Sequence, residues 1–349
     1  MSIKIEISDK AIQTFERAFG FLGLGIIALM IYKLGPGRIA ANIHAMSWGF
    51  FLVILTGGIY YICEAFAWKL LLAEYGKSVS FIKLLRTVLE GDSLNYITIT
   101  KIGGEALKAY AIKDKMNLAV SAASVIVLKF CSILGFWLVI ACGFLTMLFT
   151  SDVSFDLKKW VGIGLVVLGL FLFSFSWVQR MGMFKPLSWM LRQFETKFQW
   201  ISQHVIRLTR LDEKIIETYH ARPMRVYVST MLCSIKWLEE ILFIWLVFRF
   251  LHIGQDWFVP TLVCTISLLM NSFFFFVPWR AGTQEGTMVL TFTLLDLSEP
   301  VGLSLAILKR LRELVWVFIG LILFSLEAMT NQPPAAVTSA PPESFPGNA

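Results

Sequence analysis

Charge is scarce in this chain, and that scarcity excludes the commonest class of protein. Asp, Glu, Lys and Arg make up 16% of its 349 residues, and hydrophobic residues make up 57%. Soluble domains carry about 25% charged residues, and a mean hydropathy of +0.70 leaves more apolar surface than a soluble fold can bury. No GxxxxGK[ST] loop is present, which excludes a P-loop nucleotide motor. Histidine is rare and dispersed: His44, His204, His220 and His252 have no metal-ligand spacing. The cysteines Cys63, Cys131, Cys142, Cys233 and Cys264 all lie in apolar stretches without a CxxC, so they read as small buried residues. No cofactor and no metal are expected. The start of the chain lacks a short apolar region followed by a small-residue cleavage site, so its first apolar segment is expected to be a retained anchor.

What is present is a series of apolar runs long enough to cross a hydrocarbon core, which takes about 20 helical residues. They fall at Phe15 to Leu34, Ser47 to Trp68, Ala119 to Phe149, Leu157 to Val178, Val226 to Phe250, Phe258 to Val277 and Leu314 to Ala328. The expected fold is therefore an all-α polytopic membrane protein with about seven transmembrane helices. A net charge of +7 and a pI near 9.1 do not indicate nucleic acid here, because the Lys and Arg residues cluster between apolar segments. With a cytoplasmic N-terminus, inside loops hold about 24 Lys and Arg against about 5 outside, which favours that orientation. Trp48, Trp68, Trp160, Trp177, Trp257 and Trp279 stand at loop ends, where an indole suits the headgroup level.

Two stretches break the pattern. Phe81 to Ile112 and Asn271 to Leu297 are half apolar and interrupted by Gly or Pro, as expected of re-entrant or broken helices lining a cavity. The alternative is a pair of cytoplasmic loops with amphipathic helices. From 184 to 220, apolar residues recur at steps of three and four with Arg and Lys on the flanks, predicting an amphipathic helix on the cytoplasmic leaflet or a protein-partner surface. Residues 331–349 are rich in Pro, Ala and Ser and read as a disordered tail.

The two broken stretches align with each other at an offset of about 180: Glu105 falls on Glu285, Ser124 on Ser304, Lys129 on Lys309. This divides a single membrane domain, 1–330, into repeat one (about 15–149), a linker helix (157–178), the amphipathic helix (184–220) and repeat two (about 226–328). Interrupted segments at corresponding places in two halves point to a transport site between them. Gly103 and Gly104, and Gly282 and Gly286 beside Pro278, permit close backbone approach, so that amides at a helix start face an anion. Lys101 and Arg280 add positive charge suited to a phosphate-bearing headgroup, whereas Lys108 reads as a topology signal. Lys129, about ten residues into an apolar helix, is expected to face a cavity or to pair with Glu64, Glu239 or Glu240. Lys236 has Glu239 and Glu240 at spacings of three and four, an intrahelical ion pair. Lys309 completes the repeat, while Arg310, Arg312 and Glu313 are expected to snorkel at the interface.

These residues resemble the lysylphosphatidylglycerol synthase transmembrane-region family, a flippase-like membrane domain of the UPF0104 type. The resemblance is carried by KIGGEALKAY from Lys101 to Tyr110, SVIVLK from Ser124, VPWRAGTQEG from Val277 to Gly286 and SLAILKR from Ser304. Two positions depart from the family pattern. Thr100 stands where the first motif often has Pro, and Pro278–Trp279–Arg280–Ala281–Gly282 replaces a Pro-Gly-Gly-like turn. The soluble acyltransferase-like domain of some relatives does not follow, so aminoacyl transfer is not expected. The resemblance implies a lipid translocator of the bacterial inner membrane with phospholipid, hopanoid or polyprenyl-linked cargo, the hopanoid-associated branch of the family included. The rivals are an enzyme acting on a lipid or polyprenyl carrier, with Glu105 or Glu285 as base, and a scaffold for lipid-synthesis enzymes.

Overall fold

The computed structural model of the protein describes residues 46–73, 79–98, 103–149, 153–183, 199–221, 223–253, 256–274 and 282–330, with a few isolated positions besides. The first predicted span, the tail 331–349, and the site residues Lys101, Pro278 and Arg280 lie outside them. The described residues form ten helices: α1 (Gly49–Leu72), α2 (Phe81–Ile97), α3 (Gly103–Ala111), α4 (Leu118–Leu148), α5 (Phe155–Met181), α6 (Gln199–Ala221), α7 (Pro223–Phe250), α8 (Phe258–Phe273), α9 (Thr283–Leu294) and α10 (Glu299–Thr330). No strand occurs among them. The chain is an all-α polytopic membrane protein.

Local chemistry sets several helix starts. Ser80, Asn117 and Ser154 cap α2, α4 and α5 by accepting from the backbone N–H of Lys83, Ala119 and Leu157. Helices α1, α4 and most of α5 are long and apolar enough to cross a membrane. Helices α7 and α10, of 28 and 32 residues, run about 42 and 48 Å at 1.5 Å per residue, also long enough. They carry too many charges to pass as apolar, and six of those charges, Lys236, Glu239, Glu240, Lys309, Arg310 and Arg312, are buried. Leu314 to Ala328 is thus only the second half of a helix whose charged first half is also buried. The broken stretch Phe81 to Ile112 forms two short helices, α2 and α3, and Asn271 to Leu297 holds the end of α8 and the short α9; at 17 and 16 residues, α2 and α8 fall short of a full crossing by the same rise, which corrects the crossing expected over Phe258 to Val277.

The order long, intermediate, short, long runs through α1–α4 (24, 17, 9 and 31 residues) and again through α7–α10 (28, 16, 12 and 32). The two sets interlock. Helix α1 packs along α7, α4 packs on α8, and α10 packs on α2, so the last helix of each set lies on the second helix of the other. Indoles pin two further contacts between the sets, α10 to α1 and α7 to α4: Trp316 Nε1 donates to Ile54 O (2.8 Å) and Trp237 Nε1 to Ser132 O (2.9 Å).

Helix α5 turns Trp160, Val166, Leu170, Phe171, Phe173 and Trp177 outward, as a lipid-facing helix does. The second half of α6 buries Ile215, with Leu211 and Tyr219 packed around the same core, so from there on its stripe serves the bundle. In its first half Ile206 is exposed, and the side chains of 199–205 lie outside those described. Trp48, Trp160, Trp177 and Trp257 are exposed as expected of headgroup anchors, but Trp68 is fully buried and donates to Ser124 Oγ at 3.0 Å. The correction follows from its position one turn from the C-terminus of α1, where α4 covers it.

Candidate functional site

Two buried charge networks occupy the interlocked helices. The first gathers on α3, whose nine residues put Glu105 in the first turn and Lys108 in the last. Lys108 is 1% exposed and donates to Glu64 of α1 (2.9 Å) and Asp92 of α2 (2.6 Å). Glu64 in turn accepts from Lys236 of α7 (2.5 Å), which also donates to Ser132 of α4 (2.7 Å). Glu105 accepts from Lys129 of α4 (2.8 Å) and from Asn95 Nδ2 (3.2 Å), while Asn95 Oδ1 accepts from the backbone N–H of Gly104 (2.9 Å). Three cations meet three carboxylates.

The second network gathers on α7, α9 and α10. Glu240 forms an ion pair with Lys309 (2.5 Å) and accepts from Arg312 (2.7 Å), and Arg312 also engages Glu239. Arg310 grips Glu285 with both Nε (3.1 Å) and Nη2 (2.9 Å) and reaches Tyr96 Oη on α2 (3.1 Å). Glu105 and Glu285, aligned in the sequence, thus stand alike: each sits in the first turn of a short helix and pairs with a cation of the long helix that follows. Glu64 and Glu240 are a second such couple, at an offset of about 176.

Several predicted contacts are corrected. Lys236 does not pair with Glu239 or Glu240; it bonds Glu64 and Ser132, and the two glutamates turn to α10. An intrahelical pair contributes only about 0.2–0.5 kcal/mol, whereas a charge buried at a helix contact needs a partner from the facing helix, the loss of which costs about 3–5 kcal/mol. Lys129 pairs with Glu105 rather than with Glu64, Glu239 or Glu240. Lys108 is the hub of the first network instead of a topology signal. Arg310 and Arg312, at 1% and 6% exposure, do not snorkel. The close backbone approach expected of four glycines holds at Gly104, where a Cβ would run into the carbonyl of Gly91. Gly103 has only ordinary contacts, and Gly286 faces open space. Gly282 is needed for another reason: it starts α9 at φ 75°, the left-handed region.

A cavity of about 150 Å³ lies at the other end of the second helix set, between Phe248, Val259, Phe292 and Val301 with Asp256 at its side, and is lined by none of the predicted site residues. No group of three His, Cys, Asp or Glu among the described residues is placed to hold a metal. Sequence reading missed Asp92, Asn95, Ser132, Tyr96 and Gln284. Asp92 and Asn95 had a signal, being polar within a half-apolar stretch; Ser132 had none.

A family profile described as "Lysylphosphatidylglycerol synthase TM region" matches residues 18–321, which spans both networks. The chain belongs to that family. It is also similar to a UPF0104 membrane protein of Methanocaldococcus jannaschii, 22% identical over 313 residues, covering 82% of this chain and 87% of the relative. No solved structure matches. Membership places the chain among multi-pass membrane proteins of lipid metabolism, and the charged networks stand on the helices that the profile covers.

Proposed function

We propose that this protein is a lipid translocator of the bacterial inner membrane that guides an anionic phosphate-bearing headgroup past the first charge network while the acyl tails stay in hydrocarbon. The observation that carries the reading is Lys129. Its side chain is 53% exposed, it lies about 17 Å along the spanning helix α4, and its single ion-pair partner among the described residues is Glu105. A charge exposed at such a depth costs about 2.5–3.5 kcal/mol on insertion scales. The other cations of this network are enclosed: Lys108 is shared by Glu64 and Asp92, and Lys236 by Glu64 and Ser132. A lipid phosphate can displace Glu105 from Lys129, and Glu105 then keeps Lys108, 3.6 Å away, as its cation. The family's lipid-linked description supports the same substrate class.

In this reading the two helix sets are the moving halves, the N-terminus is cytoplasmic and the lipid leaves chemically unchanged. Phosphatidylglycerol is the first cargo to test, with hopanoid and polyprenyl-phosphate lipids next. In proteoliposomes carrying fluorescent phosphatidylglycerol, the wild type is expected to expose inner-leaflet probe to an external quencher. Lys129→Gln is expected to slow that movement at least tenfold while leaving the thermal midpoint within a few degrees. Absence of protein-dependent movement of any of these lipids, or a Lys129→Gln rate equal to wild type, would sink the reading. A modified lipid found by mass spectrometry would point to the enzyme instead.

A further inference from the structure

The second network carries a negative charge that the first does not. Among the described residues it sets Lys309, Arg310 and Arg312 against Glu239, Glu240, Glu285 and Glu313, three cations to four carboxylates. The surplus has an address. Glu239, Glu240 and Glu285 are each gripped by a cation, whereas among the described residues Glu313 accepts only from the side-chain amide of Gln284, Nε2 to Oε1 at 3.3 Å. The free ends of both groups, Glu313 Oε2 and Gln284 Oε1, are buried without a hydrogen-bond partner, and Gln284 is 1% exposed. Thr283 Oγ1 at the start of α9 and Asn271 Oδ1 at the end of α8 are likewise buried without partners, on elements packed together with this pair. Bare acceptors are costly to bury, and a run of them calls for a donor or a cation. The first helix set has no such arrangement: at an offset of about 180 it holds Gly104 and Ile133. There Asn95, about 176 before Asn271, spends its Oδ1 on the helix start.

We infer that Glu313 and Gln284 bind one monovalent cation, a proton or Na⁺. The donors are all oxygen, which suits a hard ion, and one uncompensated carboxylate matches a single positive charge; a divalent ion recruits several carboxylates, and those nearby are occupied. The charged and titratable groups around the site are Arg310 and Arg312 on its own helix, Glu285 from α9, Tyr96 and Asp92 from α2, Tyr61 from α1, and Glu239 and Glu240 from α7. Gln284 adjoins Glu285, which holds Arg310, so loading the site alters the electrostatic tie between α9 and α10. That the cation drives lipid movement rests on the translocator reading; the binding site itself does not.

The test is therefore made on binding. The purified full chain in detergent is heated in NaCl against choline chloride at equal ionic strength, and across pH 5 to 8, with tryptophan fluorescence as the readout. If Na⁺ is the ligand, it raises the wild-type midpoint by several degrees and leaves Glu313→Gln unmoved. If a proton is the ligand, Glu313→Gln matches the wild type at low pH and exceeds it at high pH, because the amide mimics the protonated acid. Gln284→Leu, which keeps the carboxyl, is expected to weaken the Na⁺ response at least tenfold in concentration, and it stands in should Glu313→Gln not fold. Equal Na⁺ and pH responses in wild type and variants overturn the site and leave a buried water as the partner of these oxygens. Proteoliposomes then separate the two ideas: lipid movement that ignores both gradients, alongside intact cation binding, keeps the site and removes its coupling.

Discussion

Glu64→Gln is expected to be the most damaging isosteric change in the chain. Its carboxylate is the shared acceptor of Lys108 and Lys236, and it ties α1 to α3 and α7 at once. Without it, Lys108 keeps Asp92, but Lys236 keeps no carboxylate among the described residues, only the Ser132 hydroxyl and the faces of Tyr60 and Trp237, 4.4 and 5.4 Å from its ammonium. Removing one partner of a buried pair costs about 3–5 kcal/mol, because the stranded charge stays out of water. At roughly 2–4 °C per kcal/mol for chains of 150–250 residues, the thermal midpoint in detergent should fall by about 10 °C. Removing the stranded charge as well, in Glu64→Gln with Lys236→Met, should recover part of the loss, with a coupling of about 0.5–3 kcal/mol in the double-mutant cycle. A midpoint for Glu64→Gln within two or three degrees of wild type would show that the network does not hold these helices together.

The second large effect comes from the same substitution at two glycines of the aligned motifs. In Gly104→Ala, the new Cβ meets the carbonyl oxygen of Gly91 and the side chain of Asn95, so α2 and α3 must part. Parting them breaks the bond from Gly104 N–H to Asn95 and loosens the Asn95 hold on Glu105. Backbone does not yield as a flexible side chain does, so the loss should reach several kcal/mol, as overpacking at tight contacts does. Gly286→Ala meets nothing within 4 Å and lies inside α9, so it should gain up to about 1 kcal/mol of helix propensity. Expression level and thermal midpoint of the two variants decide the matter. Similar losses at both positions would mean that the glycines serve some purpose other than the crossing of α2 and α3.

Both predictions depend on contacts that chemistry along the chain only half reveals. Hydropathy disclosed the spans built from α1, α4 and α5, because an apolar run of the right length has one stable solution in a bilayer. It also exposed the broken stretches, where polar residues and glycines interrupt the runs. The coincidence of Glu105 with Glu285 singled out the two carboxylates that head the short helices. Hydropathy misjudged the start of α10, since Arg310 and Arg312 look like interface residues until α9 supplies Glu285 and α7 supplies Glu239 and Glu240.

Partner choice was the part that could not be read. Lys236 has acceptable partners within its own helix and takes none of them, because side chains on one helix face answer to whichever helix packs there. Lys108 looked like a loop charge and proved as enclosed as Lys236, a fate decided by α1 and α2 closing over it. Composition and periodicity along the chain thus determined that this is a helical membrane protein with two interrupted, charge-bearing stretches. Which charges neutralise one another, and which oxygens are left bare, was decided only when helices distant in the chain packed together. In a low-dielectric interior a charge must be matched across the nearest contact, and nearest in space is not nearest in sequence.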